Sequence, residues 1–303
     1  MKEAIFAGSA AALITPMDEQ GRIDYDAMRK LLEFQVENKT DALVINGTTG
    51  ESATLTESEK LALLEFAVDT VNGRVPVIAG TGSNCTRTAV ELSKKAQKLG
   101  ASGLLVVTPY YNKATQKGLE EHFKTVAESV EIPVILYNVP GRCGVSISPE
   151  TYFKLSAHPN IRGIKEAGGN FSEIARTAAL CRDALDLYSG NDDQTVPILS
   201  LGGKGVISVL ANVMPKKTHE MCSLYFDKRI EESRRLQLEL MDLIAALFSE
   251  VNPIPVKAAL SMMGLCRECY RLPLTPMEPE KREALFQVMK KHSLITDKAG
   301  RQI

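Results

Sequence analysis

Along the first two thirds of the chain, short runs of apolar, β-prone residues alternate with stretches whose apolar positions recur every three or four residues. The runs are Ala10–Ile14, Ala42–Asn46, Val75–Ala79, Gly103–Thr108, Val134–Asn138, Ile161–Lys165, Leu187–Ser189 and Val206–Val209. Most are continuously hydrophobic, which predicts parallel strands covered on both faces. Helical patterns lie between them, at Tyr25–Glu37, Glu57–Val71, Thr86–Leu99, Leu119–Ser129 and Ser172–Cys181. Thr56 and Glu59 form the pattern of a capping box opening the second helix, and Gly100 closes the third. From about residue 225 onward the pattern is purely helical, over Ile230–Phe248, Val256–Met263 and Glu280–Lys290.

Eight strands, mostly each followed by a helix, predict an α/β fold of the (β/α)8 TIM-barrel type over residues 1–224. Residues 225–303 then form a helical C-terminal domain packed on the barrel. The competing architecture, an open doubly wound sheet, would want a Gly-x-Gly-x-x-Gly turn after an early strand, and the chain has none. A barrel carries its chemistry on the loops that follow the strands.

Composition narrows the classes. The chain has 303 residues, 44% of them hydrophobic, and a formal net charge of −1. It is long enough for a large core, and it has no basic stripe that would favour nucleic acid or an anionic membrane. No run approaches the roughly 18 apolar residues of a membrane span. Met1-Lys2-Glu3 and the apolar residues after it faintly imitate a signal peptide, but Glu3 and the polar turn after Thr15-Pro16 argue for a first strand in a cytoplasmic protein. The six cysteines lie singly apart from Cys266 and Cys269, and the four histidines are scattered. Two thiols near a helix end fit better than a zinc or redox site.

The residues at strand ends carry the chemistry. Lys165 ends the sixth run and is followed by Glu166-Ala167-Gly168-Gly169. A desolvated lysine loses its proton more readily, and a neutral amine attacks a ketone to form a Schiff base; the plain alternative is a solvated lysine at a strand end. Gly47-Thr48-Thr49-Gly50-Glu51 follows the second strand and could hold a carboxylate on its hydroxyls and backbone N–H groups, or be an ordinary turn. Tyr137 alternates in phase with Ile135 and so faces the barrel interior, where a phenol can shuttle a proton. Arg142 follows in a Gly/Pro loop, placed to grip a second carboxylate. The seventh strand ends in Ser189-Gly190-Asn191-Asp192, and Asp192-Asp193 read more simply as an acid-rich helix N-terminus than as a metal pair. Together these residues suit a ketoacid bound as a lysine imine.

In this order, Gly47–Glu51, Tyr110-Tyr111-Asn112-Lys113, Tyr137–Arg142, Gly163–Glu166, Ser189–Asp192 and Asn252–Lys257 resemble the dihydrodipicolinate synthase family, within the N-acetylneuraminate lyase superfamily of class I aldolase-like barrels. The resemblance covers nearly the whole chain. It implies condensation of pyruvate with L-aspartate 4-semialdehyde in the diaminopimelate route to lysine, with no metal or organic cofactor, in a homotetramer built as a dimer of dimers. By the same resemblance Lys165 forms the Schiff base, and Tyr137 shuttles protons through Thr48 to Tyr111, which reaches across a subunit interface. Thr49 holds the pyruvate carboxylate, Arg142 binds that of the semialdehyde, and Gly190 and Ile207 line the pocket through their backbones.

Two departures qualify the match. Cys143 stands where relatives commonly have threonine, which predicts an accessible thiol of lowered pKa beside Arg142. Lysine-inhibited relatives bind lysine with residues matching Ser52, Ala53, Asn84 and Tyr110, but this chain has Glu57, Lys60 and Thr88 where they use two histidines and a glutamate. That predicts weak or absent lysine feedback. N-acetylneuraminate lyases and 2-keto-3-deoxy-sugar acid aldolases are the alternatives within the superfamily; Thr48-Thr49 with Arg142 favours the synthase. A catalytically silent ketoacid sensor and a phosphate-binding barrel enzyme are the readings from other classes.

Overall fold

The computed structural model describes residues 4–296; Met1–Glu3 and the last residues of the C-terminal segment lie outside it. Eight strands close into one barrel in sequence order: β1 Gly8–Ala12, β2 Ala42–Ile45, β3 Val77–Gly80, β4 Gly103–Val107, β5 Val134–Asn138, β6 Ile161–Glu166, β7 Asp186–Ser189 and β8 Gly205–Ser208. Every neighbouring pair is parallel, and β1 closes on β8 with Ala10 opposite Ile207. The apolar runs of the sequence are these strands, shifted by one or two residues at their ends.

The helices are α1 Tyr25–Glu37, α2 Glu57–Val71, α3 Thr86–Lys98, α4 Gln116–Glu128, the single turn α5 Pro140–Cys143, α6 Pro149–Leu155, α7 Phe171–Cys181, α8 Thr195–Ser200 and α9 Pro215–Phe226. The C-terminal segment adds α10 Ile230–Glu239, α11 Met241–Leu247, α12 Ile254–Met262 and α13 Pro279–Lys291. The capping box at Thr56 and Glu59 is formed in both directions, and Gly100 follows α3 with φ +87°, a left-handed stop that glycine adopts freely. The helix α6 was not expected, although Ser148 as cap and Pro149 at its first position mark its start.

The helical pattern of Ile230–Phe248 is not one helix. The axis breaks at buried Leu240, which ends α10 and begins α11. The two halves serve different partners. From α10, Ser233 donates to the Met221 carbonyl of α9 (2.7 Å), whereas in α11 Asp242 accepts from His292, just past α13 (2.7 Å). A straight rod could not reach both.

Inward-facing Ala10, Ala12, Val44, Ile78, Leu105, Ile135, Tyr137, Tyr188 and Ile207 fill the barrel, while a larger apolar cluster lies between strands and helices. A third cluster joins the loop after β8 to the C-terminal helices. Arg271 pins that segment to the barrel: its guanidinium donates to both Glu59 carboxylate oxygens (2.9 and 2.5 Å) and to the carbonyls of Thr54 and Gly21 (both 2.8 Å).

This charge-assisted pair lowers the Glu59 pKa from 4.5 to about 2, with the N-cap bonds to Thr56 assisting and burial opposing. A depressed carboxylate stabilises the fold fully above its ordinary range and loses that contribution as pH falls through about 2. Arg271→Ala is therefore expected to lower Tm at neutral pH. The gap to the parent should narrow between pH 4.5 and about 2, leaving a remainder from the lost carbonyl bonds. Thermal melts across that range check this; a gap independent of pH would contradict it.

Candidate active site

Barrel register brings the expected nucleophile and phenol together. Tyr137 of β5 stands opposite Lys165 of β6, and Lys165 opposite Tyr188 of β7. Alternation turns Tyr137 and Lys165 inward, where each is only 6% exposed, and the Lys165 Nζ lies 4.3 Å from the centroid of the Tyr137 ring. Gly190 packs against the lysine stem: a Cβ there would come within 3.1 Å of Lys165 Cε and 2.7 Å of the Ala167 Cβ. Ile207 is fully buried in the same apolar lining as Tyr137.

Arg142 lies on a cavity of about 310 Å³ at the strand ends, lined among others by Thr48, Lys60, Val107, Tyr110, Val139, Cys143 and Asn252, and Thr49 is buried beside Thr48. Val107 and Val139 belong both to this lining and to the apolar cluster that holds Tyr137, so the cavity adjoins the buried pair. Two non-glycine residues in left-handed conformation, Asn46 (φ +59°) and Glu51 (φ +54°), bracket the Thr48-Thr49 turn. Strain of this kind persists only where the surroundings over-determine it.

Those surroundings come from the C-terminal segment, to which the strand-end pattern of the sequence assigns no role at the site. The Asn252 side chain donates to Thr49 Oγ1 (2.9 Å), and its backbone carbonyl accepts from Arg142 (3.2 Å). One residue thus braces both carboxylate-gripping candidates. Behind the turn, the fully buried Lys257 ammonium is hydrogen-bonded to the fully buried Glu51 carboxylate and donates to the Cys269 carbonyl (2.7 Å). Burial lowers the Lys257 pKa, opposed by Glu51. The signal was present: Lys257 is one charge inside the apolar run Ile254–Leu260, and a lysine is almost never fully buried unless paired.

One expectation changes. Cys143 is buried rather than accessible at the mouth, and burial raises its pKa; the nearby Arg142 charge opposes this but does not prevail. Asp192 and Asp193 open a short helical turn before α8, the acid-rich helix start that the sequence suggests, but Asp192 does more. It is buried and accepts from Ser208 Oγ (2.5 Å) and from the Val209 and Leu210 N–H groups (3.0 and 2.9 Å), tying β7 to the loop after β8. Burial raises its pKa, and Lys165 is among the charges opposing that shift. Tyr111 is 86% exposed with φ +77° and does not line the cavity of its own chain.

The dihydrodipicolinate synthetase family model matches residues 5–292. The chain belongs to that family. It is 55% identical to the 4-hydroxy-tetrahydrodipicolinate synthase of Caldicellulosiruptor saccharolyticus, over 94% of this chain and 96% of that one. It is 52% identical to that of Acetivibrio thermocellus, over 97% of this chain and all of the other. Among solved structures, the Aquifex aeolicus dihydrodipicolinate synthase superposes with a TM-score of 0.94 at 48% identity, covering 96% of this chain and 100% of that chain.

Breaking the Glu51–Lys257 pair is the direct test of the brace. Lys257→Met is expected to cost about 3–5 kcal/mol by stranding a buried carboxylate. Glu51→Gln in the same chain should return much of that loss. Chemical denaturation reads both. A cost for Lys257→Met near the ~0–1 kcal/mol of a surface pair would mean the pair is solvated.

Proposed function

We propose that the chain condenses pyruvate with L-aspartate 4-semialdehyde through a lysine-bound imine, as a 4-hydroxy-tetrahydrodipicolinate synthase of the diaminopimelate route to lysine. The observation that carries the reading is the buried amine of Lys165 against the Tyr137 ring, 4.3 Å away, in a chain so similar to named synthases.

In this mechanism the Lys165 amine adds to the keto carbon of pyruvate, and water leaves as the imine forms. The protonated imine withdraws electrons, so a methyl proton of the bound pyruvate is lost and the resulting enamine carbon attacks the aldehyde. Tyr137 carries protons to and from these steps and passes them through Thr48 to Tyr111. Thr49, braced by Asn252, holds the pyruvate carboxylate; Arg142, held at the Asn252 carbonyl, grips that of the semialdehyde. Gly190 and Ile207 present backbone to the substrate, and no metal or organic cofactor takes part.

The same reading makes the working unit a homotetramer, a dimer of dimers in which Tyr111 completes the site of a neighbouring subunit. Its high exposure and its place outside the lining of its own cavity support this. We assign the protein to the cytoplasm; no helix among the described residues is long and apolar enough to cross a membrane.

Incubation with pyruvate followed by borohydride is expected to fix the three-carbon unit on Lys165, located by peptide mass, and Lys165→Ala should abolish both adduct and turnover. Tyr137→Phe should lower kcat by about 10²–10⁴-fold. Full turnover in Lys165→Ala would sink the reading. Release of pyruvate from a sialic acid or a 2-keto-3-deoxy acid, without semialdehyde-dependent turnover, would favour the aldolase alternative.

Lysine feedback is expected to be weak or absent. Glu57, at one of the departing positions, is engaged by Lys95, and half-buried Lys60 adds a positive charge to the cavity. Half-maximal inhibition by sub-millimolar lysine would contradict this.

A further inference from the structure

Glu166, next to the proposed nucleophile, carries a buried carboxylate that the mechanism above does not use. Its partners are all neutral donors. Oε1 accepts from Asn138 Nδ2 (3.0 Å) and the Gly168 N–H (2.6 Å), and Oε2 accepts from Asn138 Nδ2 (3.1 Å) and the Tyr152 hydroxyl (3.3 Å). Burying a charge without a counter-charge is costly, so this carboxylate needs a reason beyond packing.

Register supplies one. The β5–β6 ladder is irregular at its start: Val134 pairs with Ile161, but Ile135 pairs with Gly163. Beyond such a bulge the alignment of the two strands is not inherited from the strand below and must be held locally. At the strand ends Tyr137 stands opposite Lys165 and Asn138 opposite Glu166. Alternation puts the first pair inside the barrel and the second outside. The Asn138–Glu166 bond is therefore the outer half of the same rung that carries the amine and the phenol.

The bond also reaches the loops. Asn138 Oδ1 accepts from the Ile147 N–H (3.1 Å), and its amide nitrogen donates to Ser146 Oγ (3.1 Å), fixing the far end of the loop that bears Arg142. Gly168 ties in the loop after β6, and Tyr152 ties in α6.

We propose that Glu166, through Asn138, is a positioning residue that locks the β5–β6 register and thereby aligns Tyr137 with the imine on Lys165. The proposal rests on the imine reading above. It assigns Glu166 to proton transfer on the bound pyruvate rather than to formation of the imine.

Two measurements separate these steps: the fraction of enzyme trapped by borohydride at saturating pyruvate, and deuterium exchange of the pyruvate methyl group in D2O, followed by NMR. Glu166→Gln sets an amide NH2 against that of Asn138, and Asn138→Asp sets two carboxyl groups face to face. In each, the trapped fraction should stay near that of the parent while exchange per trapped imine slows about 10- to 100-fold. The exchanged pair Asn138→Asp with Glu166→Gln restores one donor and one acceptor and should recover most of the rate. Exchange within about twofold of the parent in both folded single variants would overturn the proposal. So would a folded exchanged pair whose methyl exchange remains lost, which decides the matter even where a single variant does not fold. A parent enzyme that traps no pyruvate would instead remove the imine reading itself.

Discussion

Closing a parallel sheet on itself leaves each side chain at a strand end two directions, into the barrel or out toward the helices. The centre of this site follows from that restriction. Tyr137 and Lys165 face inward on adjacent strands and are forced within van der Waals reach; Asn138 and Glu166, one residue on, are forced to meet on the outside. Gly190 is required just past the neighbouring strand end because the Ala167 Cβ and the Glu166 carbonyl already occupy the space a Cβ would need, with the lysine stem close behind them.

The barrel does not complete the site. The turn at Thr48-Thr49 is flanked by strained residues, and its bracing arrives from more than two hundred positions along the chain, through Asn252 to Thr49 and Lys257 to Glu51. A buried ion pair contributes little net stability compared with a well-packed apolar pair, because desolvation offsets most of the attraction. What it supplies here is uniqueness of placement: only one seating of α12 satisfies both charges. The C-terminal helices thus set the geometry of the turn.

Buried carboxylates recur around the lysine. Glu166 and Asp192 sit on either side of the β6–β7 ends, both with pKa raised by burial, and both satisfied by neutral donors drawn from separate loops. Asp192 takes two backbone N–H groups and Glu166 one, groups that a helix or strand does not use and that must be satisfied at a strand end. The loops over these strand ends are consequently held by bonds to buried carboxyl groups as well as by apolar contacts.

Local pattern carried the architecture. Continuous apolar runs such as Val134–Tyr137 and caps such as Thr56 with Glu59 are properties of neighbouring residues, and they specified strands, helices and the inward phase of Tyr137 without any knowledge of distant contacts. The break at Leu240, the burial of Cys143 and the clustering of Asn252 on Thr49 were not legible in that way. Each depends on which segments meet across the fold, and neither charge nor periodicity within a window of residues encodes that meeting. A cysteine beside an arginine reads as reactive along the chain; desolvation, which exists only once the loop folds down, reverses the sign.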